Sequence, residues 1–243
     1  LNAAIRTVEK RFFAHSMHAY FLRPGDPKRK IIYEVDPIRD GKSFTTRNVI
    51  ARQGGIAIFS TSISFHIEEP GLSHQVEALQ VPPPEELESD FDRWSRLAKE
   101  NPGVIEPPLV HPIERKHVRP RNYLNPQPQE PQQQIWFRAL GDLGDDLTRH
   151  QTLLAFISDF GLLGSALLPH PYTGMNTDMQ AASLDHALWF HQPFKADDYL
   201  LYCLDSPIAA GARGFSRGSF YTRDGILVAS TAQESLQRIR TPN

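Results

Sequence analysis

The chain has 243 residues, of which 40% are hydrophobic and 22% charged, with a formal net charge of -2 at pH 7. That length and composition are typical of one large globular domain or two of ordinary size. A near-neutral chain without a dense basic run is not expected to bind nucleic acid, and no apolar run approaches the roughly 18 residues of a membrane span. The single cysteine, Cys203, excludes an intramolecular disulfide framework and fits a reducing intracellular compartment.

The first part of the chain predicts a helix followed by strands. The helix is "LNAAIRTVEK", residues 1–10, and because the sequence begins inside it at Leu1 we interpret the chain as lacking the start of a longer protein. Residues 30–65 are rich in β-branched and aromatic residues, which favours antiparallel strands. The "RQGG" at 52–55 predicts a hairpin turn, because glycine takes positive φ at low steric cost.

The segment that follows has a different composition. Eleven of the chain's 20 prolines fall between Pro82 and Pro131, which predicts an extended linker that buries little surface. Phe91, Trp94 and Leu97 recur at helical spacing and predict one short helix inside it. "LVHPIERKHV", residues 109–118, predicts a strand. We expect the linker only to join two halves of the chain.

The second part of the chain repeats the first. "DDLTRHQTLLAFISDF", residues 145–160, predicts a helix, and residues 199–236 resemble residues 30–65. Tyr33 pairs with Tyr202 at a separation of 169 residues and Gly55 with Gly225 at 170, so one inserted residue explains the shift. The repeat predicts an α+β fold in which a helix is wrapped by an antiparallel sheet twice, with domains at 1–67 and 135–243 and the linker at 68–134.

Several stretches together carry a resemblance to a known family. They are "HSMHAYFLRPGDPKRKIIYEV", "ISDFGLLGSAL", "SLDHALWFHQPF" and "ARGFSRGSFYTRDGILVASTAQE", at residues 15–35, 157–167, 183–194 and 212–234. The chain resembles the type II acyl-CoA thioesterases, the TesB-like family of bacteria and peroxisomes. The resemblance implies a double hotdog fold whose first hotdog lacks its start here. It also implies an acyl-CoA substrate, no cofactor or metal, an intracellular location in peroxisome or cytoplasm, and a possible homo-oligomer.

The resemblance also implies three catalytic residues. The Asp of the family's "SD" motif matches Asp159, its Thr or Ser two positions before the "DH" pair matches Ser183, and its Gln within "QE" matches Gln233. A thiolate leaves a thioester without a strong acid, so the chemistry mainly needs an oriented, polarised water. We expect Asp159, on an apolar helix, to act as the general base, and Ser183 and Gln233 to hold the water.

The repeat supplies a second argument for these residues. Gln233 aligns with Ile63 and Ser183 aligns near His15, while the position equivalent to Asp159 would precede Leu1. The first copy therefore lacks the polar pair. If the fold alone demanded these residues, both copies would carry them. We expect one active site per chain, built mainly from the second half.

Other candidate residues have simpler interpretations. Asp185 and His186 resemble a catalytic dyad, but adjacent strand residues point to opposite faces, so we expect structural roles, with His186 equivalent to His18 of the first copy. Cys203 is expected to be a buried strand residue. Charges in "DPKRK", residues 26–30, and at Arg213 and Arg217 could meet coenzyme A phosphates but more often lie in solvated turns.

Two functions compete with thioester hydrolysis. One is a hotdog hydratase or dehydratase acting on enoyl or hydroxyacyl thioesters, a chemistry that usually pairs a His with an acidic residue. The other is a protein that binds acyl-CoA without catalysis. The complete set of Asp159, Ser183 and Gln233 favours hydrolysis of fatty acyl-CoA to fatty acid and coenzyme A over both.

Overall fold

The computed structural model describes residues 1–174 and 176–240; residues 241–243, at the end of the predicted second domain, lie outside the described part. The strands are β1 (Phe13–Phe21), β2 (Ile32–Asp40), β3 (Phe44–Gln53), β4 (Ile56–His66), β5 (Ile113–His117), β6 (Gln132–Ala139), β7 (Met179–Ser183), β8 (Asp185–Phe190), β9 (Leu200–Ala210), β10 (Arg213–Thr222) and β11 (Leu227–Ile239). The helices are α1 (Asn2–Ile5), α2 (Asp90–Glu100), α3 (Leu147–Ile157) and α4 (Leu162–Leu167), with a single 3-10 turn at Pro84–Glu86.

All eleven strands belong to one antiparallel sheet. Its order is β2-β3-β4-β1-β8-β11-β10-β9-β6-β5, with β7 paired to β11 beside β8. The two halves of the chain meet where β1 pairs with β8, with Met17 opposite Leu188. Four strands of the first half therefore continue directly into the strands of the second half. This is the α+β duplication that the repeat predicts.

The hairpin turns lie where glycine patterns predict them. The β3–β4 turn places Gly54 at φ 56° and Gly55 at φ 81°, and Gly225 in the β10–β11 turn also has φ 81°. Along β3, buried and partly exposed residues alternate through most of the strand. The alternation puts one face of β3 on the core.

Helices α1, α3 and α4 lie on the face of the sheet that holds the main core. This core is continuous across the β1–β8 junction and includes Met17, Ile63 and Leu188 together with Leu154 of α3 and Leu162 of α4. The first helix is shorter than predicted, since only Asn2–Ile5 of residues 1–10 are helical. In the described residues no helix is long and apolar enough to cross a bilayer.

The proline-rich segment does more than join the halves, and in this respect the prediction was wrong. It contains α2 and β5, which pairs with β6 at the edge of the sheet. Ala78, Val81 and Leu87 pack on a second apolar cluster on the outer face of the sheet, around Trp136 and Tyr221. The Trp136 indole donates a hydrogen bond of 3.0 Å to the Pro82 carbonyl. Apolar residues on the outer face of β6 and β10 explain why the segment is held there.

Candidate active site

Asp159 lies in the turn between α3 and α4. The α3 helix starts at the N-cap Asp146, whose side chain accepts from the Thr148 amide, and its last helical residue is Ile157. Asp159 therefore follows the helix rather than lying on it, which corrects the prediction. The chain enters α4 through Gly161, at φ 92°, where an added Cβ would lie 3.3 Å from the Ile135 and Leu204 side chains. Only glycine fits this turn without strain, and the turn sets the direction of the Asp159 carboxylate.

Ser183 and Gln233 come from neighbouring strands. Ser183 ends β7 and is the register partner of Ser235 in β11, two residues beyond Gln233. The Ser183 hydroxyl donates to Asp159 Oδ1 at 2.9 Å and accepts from Gln233 Nε2 at 3.0 Å. Gln233 is 1% exposed, whereas Asp159 and Ser183 are half-buried. The structure thus brings all three predicted residues into one hydrogen-bonded row.

Two further residues extend this row, and the sequence did not single them out for it. His186 Nδ1 lies 2.7 Å from Gln233 Oε1, and His186 Nε2 lies 2.8 Å from the Ser158 hydroxyl. Ser158 is fully buried and directly precedes Asp159. The five side chains of Asp159, Ser183, Gln233, His186 and Ser158 therefore form a hydrogen-bonded chain whose two ends are adjacent residues; we call it the polar chain.

The expectation for the Asp185–His186 pair was right in one respect and wrong in another. Asp185 points away from the polar chain, and its carboxylate accepts from the Glu234 amide at 2.7 Å. The two residues thus do not form a dyad. However, His18 is not the counterpart of His186, because His18 is exposed and His186 is 3% exposed. In the first half it is the buried Met17 that pairs with Ile63, the counterpart of Gln233.

The surroundings of His186 favour its neutral form. Burial lowers the pKa of His186 below its usual value, although its hydrogen bond to Gln233 and the carboxylates of Asp159 and Asp185 act in the opposite direction. Tyr202 holds the backbone of the site at Ser158. The Tyr202 hydroxyl donates to the Ser158 carbonyl at 2.8 Å and lies 2.7 Å from the Thr231 hydroxyl. Burial raises the pKa of Tyr202, so this phenol stays protonated.

A cavity of about 760 Å³ opens beside the polar chain. Asp159 and His186 reach its wall, whereas Ser183 and Gln233 lie behind them. The rest of the lining is mainly apolar and comes from the first residues of the chain, from α3 and the turn after it, and from strands of the first half: Leu1, Ala3, Met17, Ala19, Phe21, Val35, Phe59, Ala155, Phe156 and Phe160. Its other members are Asn2, Arg6, Tyr33 and Thr152. The cavity therefore combines one carboxylate with apolar walls.

The other candidate residues are engaged elsewhere. Arg217 pairs with Asp205 at 2.6 Å and Arg213 with Glu234 at 2.9 Å, all on the surface. Cys203 packs in the outer cluster under the linker, and burial raises its pKa to about 11. A thiol with that pKa is not ionised at neutral pH and is a poor nucleophile. Within residues 1–174 and 176–240, no group of three His, Cys, Asp or Glu side chains could hold a metal ion.

Comparison with solved structures first defines the class of fold. A hot dog fold protein of unknown function from Alicyclobacillus acidocaldarius superposes with a TM-score of 0.70 at 17% identity, over 94% of this chain and 80% of that one. The acyl-CoA thioesterase II TesB2 from Mycobacterium marinum superposes with a TM-score of 0.81 at 40% identity, over 98% of this chain and 86% of that one. The predicted α+β double hotdog is confirmed.

Sequence comparison then identifies the family. The profile described as "Acyl-CoA thioesterase" matches residues 109–236, and the profile described as "Acyl-CoA thioesterase N-terminal domain" matches residues 1–66. The human protein named acyl-coenzyme A thioesterase 8 is 40% identical over 99% of this chain and 78% of its own length. The chain belongs to the acyl-CoA thioesterase family, as the sequence motifs indicated.

Proposed function

We propose that the protein hydrolyses fatty acyl-CoA to a free fatty acid and coenzyme A, with Asp159 as the general base toward water. One observation carries this proposal: the Asp159 carboxylate lies on the wall of an apolar cavity, and the hydroxyl of Ser183 holds one of its oxygens. A carboxylate held in this way keeps its second oxygen for a water molecule in the cavity. The apolar walls suit the acyl chain of the substrate.

The reaction balances without a cofactor. The water oxygen attacks the thioester carbonyl carbon while Asp159 takes the water proton. The tetrahedral intermediate then expels the coenzyme A thiolate, and the proton on Asp159 returns to that sulfur. Because a thiol is acidic, its departure needs little help. The role of Ser183 and Gln233 is to orient the carboxylate, a contribution that works through geometry rather than covalent reactivity.

Gln233 takes a role that differs from the one the motif implies. Its two amide hydrogens point to Ser183, at 3.0 Å, and to Ser235, at 3.2 Å, and the residue is 1% exposed. We therefore assign the contact with water to Asp159, the orientation of its carboxylate to Ser183, and the support of Ser183 to Gln233.

The domain bounds, the location and the oligomeric state are also part of this proposal. We place the domains at 1–67 and 135–243 with the linker at 68–134. The N-terminal family profile ends at residue 66, next to the first proposed boundary, whereas the other profile begins at residue 109, inside the proposed linker. An intracellular location in peroxisome or cytoplasm rests on the family and on the single cysteine. A homo-oligomer rests on the family alone.

The test measures two products side by side. Free thiol released from palmitoyl-CoA reports hydrolysis, and loss of the enoyl absorbance of crotonyl-CoA without thiol release reports hydration. We expect thiol release that falls by about 10²- to 10⁴-fold in Asp159→Asn, the range of one general base. The amide of Asn still accepts from Ser183, so the variant should fold and bind acyl-CoA.

A matched control is Asp185→Asn, which changes a carboxylate on the opposite side of β8, next to His186 in sequence. It should leave the rate of thiol release near that of the wild type. Hydration without thiol release would support the hydratase, and binding of acyl-CoA with neither reaction would support a binding protein. Undiminished hydrolysis by Asp159→Asn would refute the assignment of the base.

A further inference from the structure

We propose that His186 is a positioning residue for hydrolysis, which fixes the amide of Gln233 so that its N–H groups face Ser183 and Ser235, and Ser183 in turn donates to Asp159. This inference rests on the proposed function of Asp159. His186 touches the cavity wall, but its side chain makes its hydrogen bonds away from the cavity, to Gln233 at 2.7 Å and to Ser158 at 2.8 Å. It therefore acts through Gln233.

The hydrogens of the polar chain all point toward Asp159. Gln233 Oε1 has no hydrogen to give, so His186 Nδ1 must carry the proton that joins them. Gln233 Nε2 then donates to Ser183, and Ser183 donates to the carboxylate. At the other end, His186 Nε2 is left as an acceptor for the Ser158 hydroxyl. The structure thus assigns the Nδ1–H tautomer to His186.

The negative charge on Asp159 explains why this direction is preferred. If the Gln233 amide were reversed, its Oε1 would take the Ser183 hydrogen, and Asp159 would lose its donor. A hydrogen bond to an ionised carboxylate is about twice as strong as one between neutral groups. Three linked hydrogen bonds, from Asp159 through Ser183 and Gln233 to His186, therefore let the charge on the carboxylate set the tautomer of a buried imidazole.

The hydroxyl of Ser158 allows the polar chain to keep its hydrogen bonds when His186 is protonated. The Ser158 hydroxyl has one hydrogen and two possible acceptors for it, His186 Nε2 and the Ala155 carbonyl, which lies 3.0 Å away. When His186 gains a proton, Nε2–H can donate to Ser158, whose hydrogen turns to Ala155. The bond from Nδ1–H to Gln233 is unchanged in both states. His186 can therefore hold Gln233 in place whether it is neutral or charged.

The first hotdog indicates that packing alone does not require this arrangement. There Met17 and Ile63 occupy the positions of His186 and Gln233, and both are buried and apolar. The equivalent pair of strands in the first half, β1 and β4, thus fills these two positions with apolar side chains. In the other half, the imidazole and amide are 3% and 1% exposed. A buried imidazole and a buried amide are stable only when their hydrogen-bond partners are all present, which points to a role beyond filling space.

The kinetic test compares two substitutions at position 186. His186→Leu removes the donor at similar volume, and we expect kcat to fall by about 10²-fold with KM nearly unchanged, the effect of a misplaced catalytic group. His186→Asn places an amide nitrogen near the position of Nδ1 and should recover most of the rate. In a Gln233→Leu background, His186→Leu should cost little more, because the two residues act as one unit. The proposal would be overturned if the loss of kcat in the double variant equalled the product of the two single losses, or if His186→Asn did not recover the rate.

A spectroscopic test on the wild-type protein is independent of activity. Two-bond correlations between ring nitrogens and carbon-bound protons in a ¹⁵N-histidine sample distinguish the tautomers, and the signal missing from His186→Asn identifies His186. We expect Nδ1–H. An Nε2–H tautomer would overturn the inference even if the protein hydrolyses acyl-CoA. An Nδ1–H tautomer in a protein whose Asp159→Asn variant still hydrolyses would instead place the failure in the proposed function.

Discussion

Substitution of Ser183 by Ala separates the orienting role of its hydroxyl from its part in the fold. The change removes the donor to Asp159, at 2.9 Å, and the acceptor for Gln233, at 3.0 Å. Asp159 borders the cavity, so water can replace the lost donor there. Gln233 is buried, and it keeps Ser235 at 3.2 Å but loses one partner. Leaving one buried hydrogen unpaired costs about 1–3 kcal/mol of stability.

The expected effects on stability and on rate differ in size. For a chain of this length, about 2–4 °C of melting temperature corresponds to each kcal/mol, so Ser183→Ala should melt about 2–12 °C lower. Loss of the orientation of Asp159 should lower kcat by about 10²-fold, equivalent to about 2.7 kcal/mol of barrier. Thermal unfolding gives the first value, and thiol release from palmitoyl-CoA below the melting range gives the second.

Ser183→Thr is the matched control, because it keeps the hydroxyl and adds a methyl group that suits a strand. Its kcat should stay within a few-fold of the wild type. A Ser183→Ala protein that melts lower but turns over at the wild-type rate would refute the orienting role and leave Ser183 as a structural residue of β7.

Three further expectations concern pH, packing and the surface. Because burial lowers the pKa of His186, the unfolded chain binds a proton at this residue before the folded protein does as the pH falls below about 6.5. Urea unfolding should therefore show a free energy of unfolding that decreases by at most about 1.4 kcal/mol per pH unit from this group. The decrease per pH unit should be smaller in His186→Asn. A Cβ on Gly218 would collide with the Tyr202 ring, so Gly218→Ala should lower the free energy of unfolding in urea by about 1–3 kcal/mol. Arg223 pairs with Glu85 in the linker at 2.8 Å with both side chains exposed, and Arg223→Gln should change that free energy by less than about 1 kcal/mol.

The sequence predicted the parts of the fold that depend on local chemistry. The glycines of the two hairpins, the N-terminal acidic residue of α3 and the duplicated strand pattern are all readable without a structure. The three catalytic candidates came from the family motifs, and they were found together. The position of Asp159 after α3 was missed because Ser158 continues the helical backbone as its C-cap, so the sequence has no sharp stop there.

The role of His186 could not be found in this way. It depends on the register of β8 against β11, with Ala187 opposite Ala232, and thus on residues far apart in the chain. The repeat alignment paired His18 with His186, one residue away from the match with Met17 that the strand registers give. A shift of one residue in a strand moves a side chain to the other face of the sheet. Because of this one-residue shift, the repeat alignment indicated a packing role for His186, which is in fact a buried hydrogen-bonding residue.

The two halves show how a duplicated fold can confine its chemistry to one copy. In the first, Met17 and Ile63 close the core with apolar side chains at the two equivalent positions. In the second, the imidazole and amide are tolerated because each buried donor meets an acceptor, and the last acceptor is Asp159. Removing any one link leaves a buried group unpaired. The polar chain must therefore be kept whole or replaced whole, and a single substitution within it should be harder to accept than the paired change to apolar residues that the first half already contains.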